Sequence, residues 1–152
     1  MLDELVEAHG LEKIKTLGDG YLAVAGVPTR RPDHALAAAA MALATPSALH
    51  RAMAQDWPDL EVRIGIASGP LVAGIIGRRR FSFDLWGDTV NTASRMASLA
   101  EPGTTRMTEA TREMLGDQVL VGPAARLEVK GKGLLTTYRL LSSRFELKGG
   151  SS

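Results

Sequence analysis

The chain has 152 residues, of which 45% are hydrophobic, 23% charged and 5% aromatic, a composition typical of one globular domain. Eighteen Lys and Arg against seventeen Asp and Glu leave a formal net charge of +1, so no global field attracts the chain to nucleic acid or to a membrane surface. The sequence contains no cysteine, which excludes disulfides, thiol nucleophiles and cysteine metal sites. The longest apolar run, residues 35–44, is shorter than the ~20 residues of a membrane-spanning helix, so we expect a soluble domain without membrane contact.

The predicted elements of the first half alternate between helical and extended patterns. In chain order they are a helix containing Leu2, Leu5 and Val6, strands at residues 13–17 and 21–25, an alanine-rich helix capped by Asp33, and a strand at residues 60–66. Gly18 and Gly20 permit a tight hairpin that places Asp19 at its tip. Pro46 is expected to kink the long helix or to restart it. The first helical pattern opens without an N-cap, which indicates that the sequence starts inside a helix and not at its first turn.

The second half continues with short strands and two helices. In chain order they are strands at residues 71–76 and 81–86, a helix from Asp88 or Thr89 to about residue 100, a strand at 104–108, a helix at 109–115, and a hairpin of 127–130 with 136–141. Because hairpins alternate with helices, we predict an α+β fold with a mixed, mostly antiparallel sheet of the ferredoxin-like βαββαβ type. Residues 148–152 have the composition of a flexible linker, so the domain is expected to span residues 1–147.

Asp19 allows two interpretations. An aspartate between two glycines is most often only a turn residue, because Asp and Gly both suit turns. The same glycines also let a hard cation and phosphate oxygens approach the backbone closely, which would make Asp19 a metal ligand. A single carboxylate leaves both interpretations open.

A polar face is predicted on the third helix. Asn91 and Arg95 are four residues apart and share one side of this helix near its N-terminus, where anions are favoured. Such a face suits phosphate and ribose oxygens, although a solvated surface has the same pattern. Asp84 lies between Phe83 and Leu85 in an apolar strand, and a carboxylate in such surroundings requires a partner.

Cationic side chains occur at three further places. Lys15 lies between Ile14 and the hairpin tip and presents the complementary case, a cation that needs a partner. Lys130 and Lys132 are each followed by glycine, a pattern that suits a polyphosphate or a plain turn with solvated lysines. The arginines at residues 78–80 suggest a phosphate patch, but short basic loops are usually plain surface.

Four motifs occur in order along the chain. They are LEKIKTLGD at residues 11–19, RIGIASGPLVAGIIG at 63–77, FDLWGDTVNTASR at 83–95 and VKGKG at 129–133. Together they resemble the class III nucleotidyl cyclase catalytic domain over about residues 2–141, and the sequence looks like a bacterial adenylate cyclase of the mycobacterial type. Four motifs in one order are far more specific than any one of them.

The resemblance implies a role for each candidate residue. It assigns Lys15 and Asp84 to adenine, Asp19 to a metal ion, Asn91 to the ribose, Arg95 to the transition state and Lys130 to a phosphate. Adenine presents an acceptor beside a donor, which an ammonium and a carboxylate match, whereas guanine presents the opposite polarity. The implied reaction converts ATP to 3′,5′-cyclic AMP and pyrophosphate with Mg²⁺ or Mn²⁺ in a two-metal site. The implied assembly is a cytoplasmic homodimer, free or as the cytosolic part of a larger membrane or multidomain protein.

The family pattern also contains a metal-binding aspartate in a strand before the first helix, and no such motif occurs in these 152 residues. We therefore expect a first strand to be missing and the domain to be incomplete at its N-terminus, with weaker metal binding and a loss of rate. The alternative to an active adenylate cyclase is a truncated, catalytically impaired module that binds nucleotide or dimerises.

Overall fold

The computed structural model describes residues 1–77 and 82–144. Its helices are α1 Leu2–Ala8, α2 His34–Met53, α3 Asp88–Leu99 and α4 Glu109–Leu115, with a 3-10 turn at Gly116–Gln118. Its strands are β1 Glu12–Leu17, β2 Gly20–Val24, β3 Ile64–Ile66, β4 Val72–Ile76, β5 Ser82–Trp86, β6 Thr105–Thr108, β7 Val119–Val121, β8 Ala125–Val129 and β9 Gly133–Ser143. These elements confirm the predicted α+β class. No helix within the described ranges combines the length and apolarity needed to cross a bilayer.

The main sheet has five strands and is built around β9. Strand β6 pairs antiparallel with one edge of β9, while β7 and β8 share the other edge, β7 near the C-terminal end and β8 near the N-terminal end. Strand β3 extends the sheet by pairing parallel with β6. Two antiparallel hairpins, β1 with β2 and β4 with β5, are hydrogen-bonded separately from this sheet. The pairing is mostly antiparallel, as the alternation of hairpins and helices predicts.

Helix α2 packs on two sides because alanines occupy two of its faces. Ala35, Ala39 and Ala42 share one face and belong to a core cluster with the main sheet and α4. Ala37 and Met41 share another face and belong to a second cluster with α1 and the hairpin β1–β2. The first cluster is completed by Ile66, Met107, Leu115, Val119 and Leu140, and the second by Val6 and Leu11. Small side chains let α2 approach both neighbours closely, so this helix joins the hairpin β1–β2 to the main sheet.

The predicted strand at residues 60–66 is shorter in the structure, where only Ile64–Ile66 is extended and paired. Its neighbour β6 begins at Thr105, which lies opposite Ile64. Among the described residues, none forms a partner strand for the residues before Ile64, and the Gly103 N–H donates to Val62 O at 2.8 Å instead. Strand β7 has no counterpart among the predicted strands, because its three residues are too few for a pattern of alternation to be recognised.

Asp33 and Pro46 are the two residues of the long helix on which the prediction depends. Asp33 stands at the N-cap position of α2, but its side chain makes no capping hydrogen bond. Its carboxylate instead accepts hydrogen bonds from Arg31 at 2.7 and 2.9 Å. Helix α2 continues through Pro46 without restarting, and Thr45 Oγ1 in the preceding position donates to Met41 O at 2.7 Å.

Candidate functional site

Strands β1 and β5 bring Lys15 and Asp84 together, although 69 positions separate them in the sequence. Lys15 Nζ donates a hydrogen bond to Asp84 Oδ2 at 3.0 Å, and the Leu85 N–H donates to Asp84 Oδ1 at 2.8 Å. The Asp84 side chain is 17% exposed and the Lys15 side chain 41%. Asp84, which lies between apolar residues of β5, therefore has the partner that a carboxylate in such surroundings requires, and Lys15 supplies it.

The charge state of this pair follows from the same hydrogen bonds. The Leu85 N–H, and after it the Lys15 ammonium, lowers the pKa of the Asp84 carboxyl below its ordinary value of 3.8, because both stabilise the ionised form. An ionised carboxylate only accepts hydrogen bonds, and an ammonium only donates them. Side by side, the two groups match a flat ligand edge that presents a donor next to an acceptor.

Helix α3 presents a polar face to solvent. Asn91 and Arg95 are both exposed, and their spacing of four residues places them on one side of the helix, as predicted. The helix begins after Gly87, whose φ of 132° is a conformation that favours glycine. Neither Asp88 nor Thr89, the two predicted caps, holds the N-cap position.

Gly65 in β3 sets the distance between α3 and the main sheet. A Cβ atom at this residue would lie 2.2 Å from both Ala93 O and Ala97 N in the backbone of α3. Met96, on the side of α3 that faces the sheet, is fully buried. The close approach fixes α3 against the sheet, and with it the exposed Asn91 and Arg95.

Residues 130–132 connect β8 to β9 and approach the first turn of α3. The Lys132 N–H donates to Val129 O at 2.8 Å within this turn. The Lys132 ammonium forms an ion pair with the Asp88 carboxylate, while Lys130 is exposed. The sequence pattern pointed to Lys130 but not to the contact of Lys132 with Asp88, because no local signal links two residues 44 positions apart.

Asp19 occupies the tip of the hairpin β1–β2, as predicted, and is exposed. Within residues 1–77 and 82–144, no group of three or more His, Cys, Asp or Glu side chains is arranged to hold a metal ion. The described part of a single chain therefore does not fit a complete metal site around Asp19. The arginines at residues 78–80 and the linker at 148–152 lie outside the described residues.

Sequence comparison gives matches over nearly the whole chain. The family model of the adenylate and guanylate cyclase catalytic domain matches residues 1–142. The adenylate cyclase of Mycobacterium tuberculosis (strain ATCC 25618 / H37Rv) is 42% identical over 142 residues, which are 93% of this chain and 32% of that protein. The membrane guanylyl cyclase of Dictyostelium discoideum is 37% identical over 142 residues, which are 93% of this chain and 9% of that protein. The chain therefore spans less than a third of the length of either relative.

Structure comparison gives a match of similar extent. The guanylate cyclase domain of RhGC from Catenaria anguillulae, solved in complex with GTP, has a TM-score of 0.83 and is 34% identical. The match covers 94% of this chain and 79% of that one. Similarity in sequence and in backbone therefore extends over the same elements that carry the candidate residues.

Proposed function

The chain belongs to the adenylate and guanylate cyclase catalytic domain family, and on that basis we propose that it converts ATP into 3′,5′-cyclic AMP and pyrophosphate. Its relatives include both adenylate and guanylate cyclases, so the side chains near the base must decide between ATP and GTP. The ion pair of Lys15 and Asp84 is the observation that favours ATP.

Adenine and guanine differ in the polarity of the edge that this pair would contact. Adenine has an acceptor at N1 beside a donor at its exocyclic amine, whereas guanine has a donor at N1 beside an acceptor at O6. Lys15 can only donate and the ionised Asp84 can only accept, so the pair matches adenine and opposes guanine. When the wrong substrate leaves buried polar groups unpaired, its kcat/KM falls by a factor of up to about 10⁴. Because the Lys15 side chain is 41% exposed, we expect a smaller factor here.

The proposed reaction needs no nucleophile from the protein. The ribose 3′ hydroxyl loses its proton to solvent, and its oxygen bonds to the α-phosphorus. The bond from the α-phosphorus to the oxygen that bridges it to the β-phosphorus breaks, and pyrophosphate leaves with that oxygen. Such a transfer depends on orienting the reacting groups and on stabilising the negative charge that develops. We assign the orientation of the ribose to Asn91, the transition-state charge to Arg95 and a phosphate contact to Lys130. The shared exposed face of Asn91 and Arg95 supports the first two assignments.

Asp19 is a proposed ligand of Mg²⁺ or Mn²⁺, the cofactors that the resemblance implies. Its place at a hairpin tip leaves the carboxylate open to solvent. The described part of one chain does not bring three or more possible metal ligands together, so Asp19 would need further ligands to hold the ion.

The proposed assembly is a homodimer that buries the hairpin β4–β5. In this hairpin Val72 is 64% exposed and Ile75 is 69% exposed, and Trp86 is exposed as well. Several exposed apolar side chains on one short hairpin are typical of a protein interface. Strand β5 also carries Asp84, the partner of Lys15, so a second copy covering this hairpin would lie beside the proposed base-binding pair.

The substrate is tested by incubating the purified chain with ATP or GTP and with Mg²⁺ or Mn²⁺, and measuring cyclic nucleotide. We expect cyclic AMP, with kcat/KM for ATP exceeding that for GTP by about 10²-fold or more, because guanine leaves both charged groups mispaired. The double variant Lys15→Glu with Asp84→Cys should shift the preference toward GTP. The control Lys13→Gln changes a lysine on the same strand and should keep the preference for ATP.

Two results would contradict parts of this proposal. A wild-type chain that prefers GTP would overturn the assignment of Lys15 and Asp84 to adenine. Binding of ATP without any cyclic product would support the catalytically impaired nucleotide-binding module instead. Circular dichroism of each variant checks that the chain remains folded in these comparisons.

A further inference from the structure

We propose that Asp88 and Lys132 form a positioning pair for the reaction. Their ion pair holds the turn that carries Lys130 against the first turn of α3, the helix that carries Asn91 and Arg95. This inference rests on the proposed function, because it concerns the relative placement of groups that act on the triphosphate and on the ribose.

The conformation of the β8–β9 turn places the Lys132 side chain next to the first turn of α3. The strand pairing ends with Val129 opposite Gly133, and the Lys132 N–H donates to Val129 O at 2.8 Å. Gly131 and Gly133, which flank Lys132, have φ values of 80° and 76°, which favour glycine. The Lys132 side chain is only 25% exposed, so it is not the solvated lysine of an ordinary turn.

The position of Asp88 connects this turn to the reacting groups. Asp88 is the first residue of α3, and Asn91 and Arg95 follow it at three and seven residues, on the same side of the helix. A carboxylate in the first helical turn is also favoured by the helix dipole. The ion pair therefore joins the side of α3 that carries Asn91 and Arg95 to the loop that carries Lys130.

A purely structural role and a positioning role predict different effects. An ion pair with one partner as exposed as Asp88, at 72%, contributes little to the stability of the fold. A small displacement of Lys130 relative to Arg95 would nevertheless slow the chemical step, because rate depends steeply on the geometry of the reacting groups. Loss of the pair should therefore change kcat much more than it changes the melting temperature.

The test is a double-mutant cycle in the full chain. Asp88→Asn, Lys132→Met and the double variant are compared with wild type for kcat and KM with ATP and for Tm. Each single variant should lower kcat about tenfold and change KM less than about threefold, and the double variant should be no slower than either single one. Lys132→Arg keeps the charge and should stay within about threefold of wild type. The control pair Asp3→Asn and Lys13→Met removes another surface ion pair and should leave kcat unchanged.

Several outcomes would overturn the positioning pair. If the effects of the single variants multiply in the double variant, the two residues act independently. If Lys132→Met raises KM at constant kcat while Asp88→Asn has no effect, Lys132 contacts the phosphates directly. If the chain binds ATP but forms no cyclic product, the proposed function fails and the positioning pair fails with it, whereas multiplying effects in an active chain overturn the pair alone. A chain that does not bind ATP overturns both proposals.

Discussion

Asp84 has a hydrogen-bond donor on each of its carboxylate oxygens, the Leu85 N–H on one and the Lys15 ammonium on the other. These donors lower the pKa of the carboxyl below 3.8, so the folded chain favours the ionised form more than the unfolded chain does. The resulting stability is present above pH 3.8 and is lost as the pH falls through the lower pKa of the folded state.

The variant Asp84→Asn should therefore melt at a lower temperature than wild type at pH 7, and the difference should shrink as the pH is lowered below 3.8. Thermal unfolding followed by circular dichroism across this pH range measures the effect. In the background Lys15→Met the same substitution should cost less, because only the Leu85 N–H then stabilises the charge. A difference that stays constant with pH would contradict this account of Asp84.

Arg95 is exposed on α3, so its removal should leave the fold intact, and its proposed role in the transition state predicts an effect on the reaction. Arg95→Ala should lower kcat by about 10²–10³-fold, because a cation aimed at developing charge acts mainly in the transition state. The Tm should remain that of wild type. The neighbouring variant Ser94→Ala, also at an exposed position, should retain full activity, and equal losses in both variants would indicate a general disturbance of α3.

At the scale of single residues, the site was partly predictable from the sequence. The cost of leaving a charge unpaired predicts that Asp84, between two apolar residues, has a partner, but only the family resemblance places Lys15 beside it. The sharing of one face by Asn91 and Arg95 follows from helical periodicity. The contact of Lys132 with Asp88 does not follow from either rule, because it depends on how the β8–β9 turn is placed against α3.

Among the elements, the packing of α3 on β3 depends most strongly on one residue. Gly65→Ala would place a methyl group 2.2 Å from two backbone atoms of α3, so the helix must move away from the sheet. We expect a loss of about 1–3 kcal/mol in the free energy of unfolding, as for other overpacked sites, together with lower activity because Asn91 and Arg95 move with the helix. Urea unfolding and a cyclase assay measure the two effects.

Gly122→Ala is the matched control for this substitution. Its added Cβ would meet Arg139 Cβ at 3.7 Å, an ordinary van der Waals distance, and Gly122 is not among the glycines with positive φ. This variant should keep the stability and the activity of wild type. If Gly65→Ala were equally harmless, Gly65 would not set the position of α3.

The elements themselves were predictable where a pattern extended over several residues. The helices α3 and α4 and both hairpins lie within a few residues of their predicted positions. The strand predicted at residues 60–66 is too long because its partner begins only at Thr105, and the side-chain alternation of a strand does not report where its neighbour starts. Strand β7 has three residues and depends on pairing with β9, a contact that is not local.

For the whole molecule, the exposed apolar side chains of the hairpin β4–β5 give a prediction about assembly. Ile75→Arg should leave the chain folded, because this side chain is 69% exposed. It should raise the Kd of the proposed dimer by about 10²-fold or more, since a buried unpaired charge weakens an interface strongly. Activity should fall in parallel if the second copy completes the site.

Analytical ultracentrifugation measures this association, and circular dichroism checks the fold. Trp57→Arg changes another exposed apolar residue, outside the hairpin, with 61% of its surface exposed, and it should leave the dimer intact. A wild-type chain that sediments as a monomer at high concentration, or an Ile75→Arg variant that still dimerises, would contradict the proposed interface.

With Lys15 and Asp84 assigned to the base as proposed, their ion pair has a consequence for how base preference would evolve in this family. Under this assignment, replacing either residue alone would leave the other charge without its counter-ion, and we expect such a single variant to use both purine nucleotides poorly. A change of substrate from ATP to GTP, or the reverse, would then require both residues to change together or a less active single variant in between. This requirement would favour retention of the original base preference.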